Sequence, residues 1–93
     1  MDATKIEEIL RHYSPEAQTI KAIEELAELQ TELAKLLNKQ GNVRTMQSEM
    51  ADVVIMISQL MFIFDIDPET LDNEMAYKLD RQLKRIKEEF HEK

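Results

Sequence analysis

The chain holds one glycine and two prolines in 93 residues, so there are few places at which a helix must stop. A sheet would need many more turns, and scarce punctuation of this kind suits a small number of long helices. The breaks are informative one by one. Ser14-Pro15-Glu16 and Asp67-Pro68-Glu69 both read as helix starts, with a side-chain oxygen for the N-cap and proline at the first helical position, where a missing N–H costs no hydrogen bond. Asn38-Lys39-Gln40-Gly41-Asn42 reads as a helix end, because glycine commonly follows the last turn.

Apolar residues recur at helical spacing between these breaks. Ile6, Ile9 and Leu10 mark a short amphipathic start. From Ile20 the residues Ile23, Leu26, Ala27, Leu29, Leu33, Leu36 and Leu37 predict a long second helix. A third helix is expected from Arg44 or Thr45 to about Phe64, on the stripe Met46, Met50, Val53, Ile57, Leu60, Met61 and Phe64. Beyond Val53 nearly every side of that helix is apolar, which predicts that it is surrounded. Leu71, Met75, Leu79, Leu83, Ile86 and Phe90 mark the buried side of a fourth. The expected fold is all-α, a single domain over 1–93, with the last three helices packed antiparallel through short connections.

A chain this short buries only about 60–65% of its unfolded surface by itself, so an oligomer is expected. Its net charge of −7 excludes general attraction to a nucleic acid polymer or an anionic membrane, and a phosphate-bearing partner would need a cation as intermediary. Without cysteine there is no disulfide framework, thiolate zinc site or cysteine nucleophile. The start MDATKIEEIL lacks the basic-then-apolar form of a signal peptide, and a cytoplasmic location is expected. The run MADVVIMISQLMFIF carries Asp52, Ser58 and Gln59 and falls short of the roughly 18 residues of a membrane span, so no membrane partner is expected.

Two acidic groups stand out against this background. Glu25, Glu28 and Glu32 crowd one helix face, where each like-charge pair costs about 0.2–0.5 kcal/mol. Glu49 and Asp52 lie three apart at the entrance to the apolar helix, a poor place for acids without compensation. Antiparallel packing across Gly41 would bring Glu25 and Glu28 within about a turn of Glu49 and Asp52. Four converging anions require a counter-charge, and hard divalent cations with oxygen ligands, Mg²⁺ or Mn²⁺, supply it.

EELAE at 24–28, a gap of twenty residues, and EMAD at 49–52 together resemble the EExxE…ExxD signature of the MazG-like all-α nucleoside triphosphate pyrophosphohydrolases. The resemblance runs over roughly residues 15–90, through DVVIMISQLMFIFDID to Lys78 and Arg85 on the fourth helix. Gln82 and Ile86 depart from the asparagine and aromatic that such proteins commonly carry. The resemblance implies a four-helix-bundle-type fold assembled as a homodimer or homotetramer, with active sites between subunits. It implies Mg²⁺-dependent cleavage of a nucleoside triphosphate between its α and β phosphates, giving the monophosphate and pyrophosphate through a metal-activated water. Glu25, Glu28, Glu49 and Asp52 would ligate the metal, Glu24 would orient or deprotonate the water, and Lys78 and Arg85 would contact phosphate oxygens.

The competing reading is a non-catalytic helical oligomerisation module with a wet acidic face, which leaves Asp52 unexplained. A di-iron carboxylate bundle asks for two Glu-x-x-His pairs, and only Glu88 with His91 matches. His12, the six methionines and the basic residues Lys35, Lys39 and Arg44 read as surface or packing residues.

Overall fold

The computed structural model describes residues 1–92. Over them the chain is helical without strands: α1 (Ala3–His12), α2 (Pro15–Leu37), α3 (Val43–Ile63) and α4 (Pro68–Glu92). Side-chain oxygens cap the starts of α1 and α2, the second at Ser14 as the sequence expects, while at α4 Asp67 meets a neighbouring hydroxyl. Asp2 Oδ1 accepts from the N–H groups of Thr4 at 2.9 Å and Lys5 at 3.3 Å. Ser14 Oγ accepts from Ala17 N–H at 3.0 Å, and Asp67 Oδ2 accepts from the Thr70 hydroxyl at 3.1 Å. α3 begins slightly earlier than its apolar stripe suggests, because Asn42 is itself the N-cap, accepting from Thr45 N–H at 2.8 Å.

Both long helices that end within the fold use the same device. After α2, Lys39 N–H donates to Leu36 O at 3.0 Å and Gln40 N–H to Lys35 O at 2.8 Å. After α3, Asp65 N–H donates to Phe62 O at 3.4 Å and Ile66 N–H to Met61 O at 2.9 Å. These are paired Schellman closures, which require a left-handed residue just past the cap. That residue is Lys39 (φ 60) in one case and Asp65 (φ 52) in the other, and glycine fills neither place. Gly41 serves a different need: a Cβ there would lie 3.1 Å from Lys35 Cβ, so the loop passes too close to α2 for an ordinary side chain to enter without displacement. Left-handed backbone costs a non-glycine residue about 1–2 kcal/mol, partly offset by the greater freedom glycine loses on folding. Lys39→Gly is therefore expected to stabilise the chain by about 0.5–1 kcal/mol, read as a shifted urea midpoint with an unchanged slope.

Packing is concentrated between α2 and α3, which form an antiparallel hairpin, with α1 laid against α3. Ile6, Ala22, Val53 and Met56 are its buried apolar residues, and Gln18 and Gln59 are buried among them. α4 differs from the expectation of three packed antiparallel helices. From Asp72 to Phe90 every residue on it is exposed, and no other helix lies along it. Its apolar side, with Leu79, Leu83 and Ile86, faces outward. α3 is likewise buried on one side only, with Val54, Ile55, Ile57 and Phe62 exposed. That helix has the length and apolar composition of a possible membrane span, and 17% of its apolar window is buried within the chain.

The chain exposes 7830 Å², whereas a compact monomer of 10.9 kDa exposes about 5,600 Å². Its radius of gyration, 17.1 Å, compares with about 12 Å for a compact domain of this length. The excess surface, about 2,200 Å² per chain, falls in the range that obligate partners bury.

Candidate metal centre

Glu25 lies on the same face of α2 as Ala22 and Gln18, the face that meets α3, and this position forces a carboxylate into the seam. It is only 7% exposed. Across the seam α3 presents Glu49 and Asp52, one turn apart, just before Val53 and Met56 close the apolar contact. One carboxylate oxygen from each of Glu25, Glu49 and Asp52 can be chosen so that all lie within 4.8 Å of one another. Glu25 is buried, Glu49 half-buried and Asp52 open to solvent, so the group has a dry side and a wet side.

The arrangement is electrostatically unfinished. Glu25 Oε1 is paired with Lys21 Nζ at 3.2 Å, but Glu25 Oε2 and Glu49 Oε2 are both buried without a hydrogen-bond partner. Unpartnered buried carboxylate oxygens are costly. The strain registers at Glu49, whose carboxyl is pushed above its usual 4.5 by burial first, then by the charge of Glu28 and a hydrogen bond with it, and then by Asp52 and Glu25. Lys21 is pushed upward by its hydrogen bond with Glu25 and by that carboxylate's charge.

The fourth expected ligand, Glu28, is thus brought beside Glu49 while itself remaining exposed. Glu24 points elsewhere: its side chain is 58% exposed and lies 3.8 Å from Lys21 Nζ. Glu32, the third acid of the α2 face, is taken up by Lys35 at 3.1 Å and does not join the group. Lys78 and Arg85 sit on the part of α4 that no helix packs along, and among the described residues no ion pair links either to a carboxylate of the cluster. The side chain of His91, half of the Glu-x-x-His pair, lies outside the described residues. Sequence reasoning missed Lys21, although its place four residues before Glu25 is a legible helical pairing signal.

All the donors are carboxylate oxygens, which suits a hard divalent ion. Opposed oxygens are about 4.2 Å apart around Mg²⁺ and about 5 Å around Ca²⁺. A spread of 4.8 Å or less therefore fits one such ion with small side-chain adjustment, and Glu25 Oε2 and Glu49 Oε2 are the atoms that lack a partner without it. No family model matches the chain, and no curated protein or solved structure is significantly similar to it.

Proposed function

We propose that the protein is a Mg²⁺-dependent nucleoside triphosphate pyrophosphohydrolase of MazG-like type, acting in the cytoplasm as a homo-oligomer. The observation that carries this reading is that Glu25 and Glu49, each with a buried and unpartnered carboxylate oxygen, cluster with the open Asp52 at the α2–α3 seam. A merely solvated acidic face would not bury two anions without partners.

A bound Mg²⁺ would neutralise triphosphate charge at an acidic protein and lower the pKa of water. The chain's own residues do the rest. Glu25 and Glu49 would hold the ion from the buried part of the cluster, and Asp52 and Glu28 from its exposed part. Lys21 engages Glu25 Oε1 at 3.2 Å, and Oε2 has no partner. Glu24 would accept a proton from attacking water, for which its side chain, 3.8 Å from Lys21 Nζ, has to turn towards the cluster. No covalent nucleophile is required.

Lys78 and Arg85 are the phosphate-binding residues of this reading, and they act in trans. They lie seven residues apart on one face of α4, and the outward apolar side of that helix packs on the exposed α3 face of a second copy, carrying both cations to the second copy's carboxylates.

The test is a panel of ribo- and deoxynucleoside triphosphates with Mg²⁺, the products separated as monophosphate with pyrophosphate or diphosphate with phosphate. Monophosphate and pyrophosphate, lost on adding chelator, is the expected result. No turnover of any nucleotide by folded, metal-supplied protein would leave the interaction module as the better reading.

A further inference from the structure

Gln18 Nε2 donates to Gln59 Oε1 at 2.7 Å, and the two residues are 7% and 3% exposed. A buried amide pair is unusual in a seam otherwise made by Ala22, Val53 and Met56, and the reaction proposed above does not use it. Its position is informative. Gln18 is seven residues before Glu25 on α2, and Gln59 is seven after Asp52 on α3. The amide pair and the carboxylates thus lie one heptad apart along the same antiparallel seam, in the same register.

The apolar part of the seam defines that register poorly. α3 is apolar on nearly every side beyond Val53, so sliding it by one turn, about 5.4 Å, would replace one aliphatic contact with another. The 38–42 connection tethers only the far end of the hairpin. The same slide would leave two buried amides unpaired, which polar groups in a dry seam strongly resist. A single buried polar contact between helices is a known means of fixing register.

We propose that the Gln18–Gln59 hydrogen bond pins the α2–α3 register and thereby positions Glu25 opposite Glu49 and Asp52, an inference that rests on the metal-site reading above. Both are positioning residues, acting on the metal through the helices that carry its ligands.

The test replaces the pair with apolar side chains of similar length, Gln18→Met/Gln59→Met, or with leucine at both positions should the methionine pair fail to fold. Because the chain has no cysteine, spin labels can be placed at Glu16→Cys and Gln47→Cys, two exposed polar sites on the paired helices. The label distance is read by electron–electron resonance after dilution with unlabelled protein, and Mn²⁺ affinity is read on the unlabelled chain. One narrow distance is expected with the glutamines. In the Met pair a second population, displaced by about one helical turn, is expected together with at least about tenfold weaker Mn²⁺ binding and no loss of melting temperature. An unchanged distance overturns the proposal whatever the Mn²⁺ result, and so does a changed distance with unchanged Mn²⁺ affinity. Absence of Mn²⁺ binding by the parent chain would overturn the metal-site reading and the positioning role with it, and the distances would still decide whether the amides pin the register.

Discussion

Glu49→Gln is expected to lower Mg²⁺-dependent turnover by at least about 100-fold and, at pH 7, to raise the melting temperature of the metal-free protein. Both effects come from one cause. The Glu49 carboxyl is held above 4.5 by burial and by Glu28, Asp52 and Glu25. Between 4.5 and that raised value the folded chain binds more protons here than the unfolded chain, so folding stability falls as pH rises through the window. Above that window the ionised group is a net cost, and the uncharged amide removes it. Metal binding has the opposite sign, because the ion needs an ionised ligand. Melting curves of metal-free parent and variant, compared from pH 4 to 8, should converge at the acid end and separate in favour of the variant towards neutrality. Mn²⁺ affinity of the parent should weaken as pH falls through the same window. Glu28→Gln and Asp52→Asn are expected to share the loss of turnover with the fold intact or more stable. Turnover unchanged in any of the three would remove that residue from the site, and a variant melting below the parent at pH 7 would contradict the electrostatic account.

The second large effect is complementation between dead chains. Asp52→Asn removes an acid of the hairpin, and Lys78→Ala/Arg85→Ala removes the cations of α4. Each alone is expected to be inactive. If α4 of one chain serves the carboxylates of another, unfolding and refolding an equal mixture gives half of all dimers mixed, each with one intact site. About a quarter of the parental activity should then return, by counting sites in a two-fold assembly. If α4 folds back on its own hairpin, the mixture stays inactive. Leu79→Glu/Leu83→Glu tests the same geometry from the apolar side. Those side chains are exposed within one chain, so acids there cost a monomer little, whereas in an interface they would disperse the oligomer, as read by light scattering.

The sequence by itself determined the helices and the residues that could carry metal chemistry. Scarce glycine and proline, the side-chain cap at Ser14, proline at the first position of α2 and α4, and apolar spacing are local signals, and helix formation is a local event. The approach of Glu25 to within about a turn of Glu49 was legible because a short loop makes α2 and α3 antiparallel and sets roughly where along them the acids fall. Three things were decided by tertiary structure. Lys39 and Asp65, not Gly41, take the left-handed positions, since which residue follows the cap depends on where the last turn closes. Glu24 and Glu25 are neighbours in sequence, yet only Glu25 is buried, because about 100° of helix separates adjacent side chains and only packing says which faces the seam. The outward apolar side of α4 carries a proper helical period, and the period specifies a buried face without naming its partner. A repeating apolar stripe satisfies its own hairpin or a second copy equally well, and that choice is made by contacts far apart in sequence, where local propensity has no influence.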